Sequence, residues 1–406
     1  MCRGNPDRRI HPRYLQGLSG SENMSLVIGL MSGTSADGID AALVRIEGEG
    51  EAVVLEELAF VSCPYKEEVR SRLLALAQGD EGGSRELCLM DALLGRLFVE
   101  AARKVCEKAG VQAADICLIG SHGHTFYHVP QSAEYLGHSI RSTLQLGQSS
   151  FLAEAFGCPV VSDFRSRDLA AGGQGAPLVP YTEYLLFRQP DKSIALLNIG
   201  GIGNITILPK NCKPEEVLAF DTGVGNMVID ELVSHYSNNS LHYDEGGAWA
   251  HKGAVDASFL GWMEQSDSYL PLSLPKSTGR ELYGKAYVQR LLKEAESRQL
   301  DCTEVLATAT YFIARSVKRG VERFYHGSLD YLVVGGGGSH NQAILDALLK
   351  ELGIPIFTWK DFGRDSDSKE AVAFALLAWR RLEGKSNTLV SATGAKHSVV
   401  MGKLEL

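Results

Sequence analysis

The sequence predicts an α/β protein built as two lobes, and three observations carry that expectation. Its 406 residues exceed what one ordinary hydrophobic core holds and suit two packed domains. Short β-rich runs alternate with longer stretches of helical periodicity, as when strands are joined by crossover helices. The second half then restarts the pattern of the first, opening again on a strand, a turn of small residues and another strand, a faint internal repeat.

Taken in order, Ser25 to Leu30 and Ala41 to Ile46 are β-rich runs around a Gly/Ser/Asp segment, which reads as a hairpin. A third strand covers Val53 to Phe60. Apolar positions at helical spacing follow over residues 65–78 and 85–110, with Leu87, Met90, Leu94 and Phe98 on one face. Ile116 to Ile119 is a strand running into Ser121-His122-Gly123-His124. Leu144 to Leu146 and Val160-Val161 read as strands around a helix from Ser150 to Phe156, and residues 163–180 as a polar, glycine-rich connection. Ser193 to Asn198, the turn Gly200 to Asn204 and Ile205 to Leu208 begin the second half. A helix from Thr303 to Phe324, a buried strand Tyr331 to Val334 entering Gly335 to Gly338, and helices Asn341 to Leu352 and Lys369 to Leu382 complete it. The expected division is an N-terminal lobe over 25–190, a C-terminal lobe over 191–384 and a tail, 385–406, returning to the first lobe. Residues 1–24 carry four arginines among Gly, Pro and Asn without an apolar core segment. They read as a disordered extension and not as a secretory signal.

Composition narrows the function classes. Hydrophobic residues make up 45% and charged residues 22%, the balance of a soluble globular chain. A formal net charge of -9 repels phosphate backbones, so no nucleic-acid partner is expected. The eight cysteines form no C-x-x-C pair, which argues against a zinc site or a disulfide framework and for a reduced, cytoplasmic setting. No apolar run reaches the ~18 residues of a membrane span.

The densest motif is Gly29-Leu30-Met31-Ser32-Gly33-Thr34-Ser35-Ala36-Asp37-Gly38-Ile39-Asp40. Such a turn points backbone N–H groups into one concavity suited to phosphate oxygens. Its hydroxyls add donors, and Asp37 and Asp40 suit Mg²⁺, directly or through water. It is not a Walker loop, since no Gly-Lys-Ser/Thr follows. A second motif, Phe220-Asp221-Thr222-Gly223-Val224-Gly225-Asn226, puts a carboxylate at a strand end before a helix. Asp221 there is a general base, a metal ligand or simply a helix cap. The run Gly335 to Gly338 lets backbone approach a planar ligand or is a plain tight turn. Pro275-Lys276-Ser277-Thr278-Gly279-Arg280-Glu281 sets two cations beside hydroxyls, either a phosphate contact or a solvated helix start. Asp163, Arg165, Arg167 and Asp168 offer an arginine fork for an anion or surface ion pairs. His122, His124 and His128 fit no compact zinc spacing.

In this order, the paired hairpins, the aspartate-glycine loop and the late glycine run resemble the actin, sugar-kinase and heat-shock-chaperone ATPases. Within that superfamily the chain resembles the anhydro-N-acetylmuramic acid kinases from about residue 26 onward. The blocks Gly29 to Asp40 and Gly172-Gly173-Gln174-Gly175-Ala176-Pro177-Leu178 are the most specific. The resemblance implies a two-lobed actin-like, ribonuclease H-like fold with its active-site cleft between the lobes. It implies ATP and Mg²⁺, and a small sugar, 1,6-anhydro-N-acetylmuramic acid from cell-wall turnover, converted to N-acetylmuramic acid 6-phosphate with opening of the anhydro ring. Carried over residue by residue, Gly33, Thr34, Ser35, Ala36, Asp37, Gly38, Ile39 and Asp40 grip the phosphates, with Asp37 and Asp40 on the metal. Asp221 is the base that activates water, Arg167 and Glu370 contact the sugar, and Gly336 and Gly337 lie against the nucleotide. Members of the family are often dimers, so a homodimer stays open. Two alternatives also stay open: another small-molecule sugar kinase of this fold, or a nucleotide-driven binding module.

Overall fold

The structure, a computed structural model, describes residues 25–78, 83–274 and 276–406; the expected N-terminal extension lies outside the described residues. The chain forms two compact units, the first holding residues up to 186 with 368–388 and 395–406, the second 187–367 with 389–394.

In the first unit β1 (Ser25–Ser32), β2 (Gly38–Glu47) and β3 (Val54–Pro64) form an antiparallel meander. Helices α1 (Glu67–Gln78) and α2 (Ser84–Ala109) cross over to β4 (Leu118–Tyr135), which pairs with β1 in parallel. β5 (His138–Leu146) folds back on β4, α3 (Ser150–Phe156) follows, and β6 (Val160–Ser162) pairs with β4 in parallel. The C-terminal β12 (Lys403–Glu405) closes the edge, giving the order β12-β6-β4-β1-β2-β3. α2 buries Leu94, Phe98, Ala102 and Val105 against Ile28, Leu43 and Ile119, and fully burying each large apolar side chain contributes roughly 1.5–3 kcal/mol. It stops at Gly110, whose left-handed φ of 69° lets its N–H cap the last carbonyls.

The second unit repeats the plan. β7 (Ile194–Ile199), β8 (Ile202–Leu208) and β9 (Leu218–Val224) form the meander. α6 (Asn226–Tyr236), α7 (Ala257–Ser266), α8 (Arg280–Tyr283), α9 (Lys285–Ser297) and α10 (Cys302–Phe324) lead to β10 (Tyr331–Gly335), parallel to β7. α11 (Gln342–Leu352) then leads to β11 (Ile356–Thr358), giving the order β11-β10-β7-β8-β9. Strand for strand this is the order of the first sheet from β6 to β3. α10 opens on a capping box: the Asp301 carboxylate accepts the N–H groups of Thr303 and Glu304, and Glu304 accepts that of Asp301. Its Phe312, Ile313 and Val317 are fully buried with Leu197, Ile207 and Val334.

Three local expectations change. Residues 163–180 are not a bare connection, since they hold α4 (Arg165–Ala170) and the start of α5 (Val179–Phe187). Strands read as 116–119 and 144–146 are the ends of the long β4–β5 ribbon. The helix expected at the end of the second lobe, α12 (Lys369–Leu382), belongs to the first unit, and α13 (Val390–Thr393) to the second. The reason for α12 is steric: a Cβ at Gly29 would lie 1.8 Å from the Ala371 carbonyl oxygen, and one at Gly120 2.1 Å from that of Phe374. Only glycines in β1 and β4 admit the helix backbone so close.

Candidate active site

The first hairpin presents its loop through two buried anchors. Ala36 is fully buried in the left-handed region at φ 55° and donates its N–H to the Gly33 carbonyl at 3.1 Å. Ile39 is buried as well, so Ala36 and Ile39 offer a ligand only their backbone. Gly38 packs against β3, where a Cβ would lie 2.4 Å from the Cys63 carbonyl oxygen. Thr34, Ser35 and Asp37 are left exposed, and Gly33 opens onto free space apart from the Ser35 hydroxyl. Asp37 stands 3.7 Å from Arg70 Nε. Beneath the loop, the Tyr65 hydroxyl donates to Ser32 Oγ at 3.0 Å, and Ser32 Oγ lies 3.1 Å from His124 Nδ1. Burial lowers His124 to about 4, so its neutral ring accepts from Ser32 and carries its proton on Nε2.

Glu370, at the start of α12, is reachable by solvent yet crowded by protein. That crowding raises its carboxyl; Lys369 and Arg165 pull it down, and Asp40 raises it further. Lys369 itself is paired with the buried Glu183 at 2.5 Å. Arg165 is held from two sides, donating from Nε to His122 Nε2 at 2.9 Å and from Nη1 to the Gly175 carbonyl at 2.6 Å. His122 Nδ1 lies 2.9 Å from the Gly123 carbonyl. Accepting at Nε2 and donating at Nδ1 makes this imidazole neutral, in line with the fall in its pKa caused by burial, then by Arg165. The fully buried Asp168 clamps the glycine-rich segment, accepting from the Gly175 N–H at 2.7 Å and the Thr388 hydroxyl at 3.1 Å. Arg167, by contrast, is exposed and makes no side-chain hydrogen bond or ion pair among the described residues. Glu370 therefore has Arg165, not Arg167, as its arginine neighbour.

In the second unit Asp221 sits on β9 opposite Asn204, beside a register shift between Gly203 and Asn204. Such a bulge re-aims the neighbouring side chain. One carboxylate oxygen accepts the Thr278 N–H at 2.8 Å, and the Asp221 carbonyl accepts the Tyr269 hydroxyl at 3.0 Å. Burial pushes the carboxyl up to about 6; the Thr278 N–H and Lys276 oppose the rise and Glu281 adds to it. The Asp221 side chain is thus not a helix cap: its backbone partner among the described residues is Thr278, far along the chain. A carboxylate so tuned is ionised near neutrality yet basic enough to take a proton. Next to it the Thr222 hydroxyl is buried without a partner among the described residues.

The late glycines adjoin the second hairpin. Gly336 has φ 73°, and a Cβ there would lie 2.7 Å from the Ile199 carbonyl oxygen; one at Gly337 would lie 3.2 Å from the Asn226 amide nitrogen. Sequence reasoning passed over Tyr65 and Tyr269, because each acts through a partner far along the chain, and it read Ser32 as a phosphate donor, whereas its hydroxyl is engaged with Tyr65 and His124. Among the described residues no group of three or more His, Cys, Asp or Glu side chains is arranged to hold a metal ion, and no disulfide is formed.

The family described as anhydro-N-acetylmuramic acid kinase matches residues 25–405. An anhydro-N-acetylmuramic acid kinase of Caldanaerobacter subterraneus subsp. tengcongensis is 49% identical over 384 residues, covering 94% of this chain and 97% of its own length. The corresponding proteins of Clostridioides difficile and Bacillus cereus are 39% and 40% identical, each over 93% of this chain and 97% and 98% of their own lengths.

Proposed function

Since this chain belongs to the anhydro-N-acetylmuramic acid kinase family, we propose that it phosphorylates 1,6-anhydro-N-acetylmuramic acid with ATP while water opens the anhydro ring. Water adds to the anomeric carbon, the bond from that carbon to O6 breaks, and O6 takes the γ-phosphoryl group. The products are N-acetylmuramic acid 6-phosphate and ADP. The observation that carries the reading is the Asp221 carboxylate, fixed by the Thr278 N–H and raised to about 6, which takes the proton from the attacking water.

The remaining roles follow from chemistry within each unit. Gly33, Thr34, Ser35 and the backbone from Ala36 to Asp40 cradle phosphate oxygens, as an open loop of N–H and hydroxyl donors suits. Asp37 and Asp40 are the residues that would hold Mg²⁺, which keeps most of its waters and needs one or two carboxylates beside the phosphates. The exposed carboxylate of Asp37 fits that requirement, and the ion would offset phosphate charge. Glu370 orients sugar hydroxyls, and Arg167 answers the lactyl carboxylate, its guanidinium making no hydrogen bond or ion pair among the described residues. Gly336 and Gly337 let the nucleotide approach the backbone. The setting we infer is the cytoplasm, with no nucleic-acid partner. The apolar residues exposed along the β4–β5 ribbon, Tyr127, Tyr135, Leu136, Ile140 and Leu144, suit a homodimer.

An ADP-release assay tests the proposal. Turnover with the anhydro sugar and none with glucose or N-acetylglucosamine is expected; release that ignores the sugar would defeat it. Asp221→Asn should bind ATP as before and lose at least about 10³-fold in kcat. In the unaltered enzyme kcat/KM should rise with pH through about 6, since the base works only when deprotonated.

A further inference from the structure

Lys276 is a buried cation that the roles above leave unused. The residue is 8% exposed, and its side chain makes no hydrogen bond or ion pair among the described residues. Its Nζ lies instead 4.3 Å from the centroid of the Tyr269 ring and 5.5 Å from that of Phe324. Taking an ammonium out of water without a carboxylate in hydrogen-bonding reach costs free energy, and the aromatic faces return only part of that cost. Burial, then Arg323, lowers Lys276 to about 8, while Asp267 and Asp221 hold it up. A methionine would fill the same slot without that cost, so the charge needs another reason.

Two routes of contact run from Lys276 to Asp221. The ring that carries the ammonium belongs to Tyr269, whose hydroxyl donates to the Asp221 carbonyl at 3.0 Å. Thr278, two residues on from Lys276, donates its N–H to the Asp221 carboxylate at 2.8 Å. Tyr269 is in turn fixed by Asp267, which accepts the Tyr269 N–H at 2.8 Å and the Tyr283 hydroxyl at 3.0 Å. We propose that Lys276 is a positioning residue for Asp221: seated on the Tyr269 and Phe324 rings, it pins the 276–278 segment that clamps the carboxylate and supplies the positive charge that keeps it ionised. The proposal rests on reading Asp221 as the general base. The charged side chains acting on Asp221 are Lys276 and Glu281, of opposite sign, and those acting on Lys276 are Arg323, Asp267 and Asp221. Lys276 transfers no proton; its effect is electrostatic and geometric.

The test is the pH profile of kcat/KM for Lys276→Met, Lys276→Arg and Glu281→Gln, with nucleotide binding and thermal melting measured on each. Lys276→Met should move the acidic limb up by about one pH unit and lose about twofold in kcat/KM at pH 7 and about tenfold below pH 6 from the lost ionised fraction, with ATP affinity unchanged. Lys276→Arg, which keeps the charge, should leave the limb in place. Glu281→Gln, at an exposed position, should move it down by a smaller amount. An unmoved limb in Lys276→Met, or one displaced alike in the Met and Arg variants, overturns the proposal. Should Lys276→Met fail to fold, Lys276→Gln, equally without charge, takes its place, and an unmoved limb there overturns the proposal. Asp221→Asn separates the two readings: full turnover there defeats the base assignment itself, whereas an inactive Asp221→Asn beside an unmoved Lys276→Met limb defeats only the present proposal.

Discussion

The two hairpin turns stand at matching places in sheets of the same strand order, yet they treat their backbone groups differently. At the second turn the Gly200 and Gly201 carbonyls accept the N–H groups of Asn226 and Met227 at 2.8 and 3.1 Å, so the turn caps the start of α6. Packing there is tight: a Cβ on Gly225 would lie 2.7 Å from the Gly200 carbonyl oxygen. The first turn caps nothing. Thr34, Ser35 and Asp37 face solvent, and Gly33 meets only the Ser35 hydroxyl, at 3.8 Å from a Cβ built on it. Its support comes from below, through Tyr65, Ser32 and His124. Equal topology therefore does not mean equal availability. One turn has its glycine carbonyls committed to the next helix; the other uses its Gly33 and Asp37 carbonyls on Ala36 and Tyr65 but leaves the side chains of Thr34, Ser35 and Asp37 facing solvent.

The largest effect that would break this comparison is at Gly225. Gly225→Ala forces backbone apart at the junction of turn and helix, and overpacking of this kind costs about 1–3 kcal/mol. A fall of that size in the urea midpoint, at constant slope, is expected. A midpoint unchanged within error would mean that the second turn is as free as the first.

A smaller effect belongs to the support beneath the first turn. Tyr65→Phe removes the donor to Ser32, and a lost hydrogen bond of this sort costs about 1 kcal/mol. His124 is lowered to about 4, so the unfolded chain binds its proton more readily, and the stability contributed by the neutral ring is complete above the ordinary histidine range and lost as pH falls through about 4. Unfolding midpoints followed from pH 7 to 4 should fall in the unaltered protein. A flat series would remove His124 from the network.

How far the sequence revealed this architecture depended on whether the signal was local. Both hairpins were legible because β-rich runs flank small-residue turns, and α2 was legible from Leu87, Met90, Leu94 and Phe98 at helical spacing. The body of the β4–β5 ribbon was not: from Pro130 to Arg141 its residues are partly or wholly exposed, so no apolar face marks the strands. α12 was read as a helix but placed in the wrong unit, because it is buried along nearly its whole length and a helix apolar all round does not say which sheet covers it. Lys276 read either as a phosphate contact or as part of a solvated helix start, since the rings that bury it lie at positions 269 and 324. Arg165 and His122 stand 43 residues apart and meet only in the fold.

The smallest effect on stability sharpens the comparison most. Gly33 does not lie in the left-handed region, and a Cβ there meets no backbone. Gly33→Ala should therefore change stability by no more than about 0.5 kcal/mol. Glycine at this position is then explained only by something that must approach the loop, so the same variant should raise KM for ATP several-fold, through a methyl group set in the path of a phosphate. Both numbers come from one protein preparation, by denaturant titration and by ADP release at varied ATP. A stable variant with an unchanged KM would mean that the open turn meets no phosphate, and a destabilised one that it was never open.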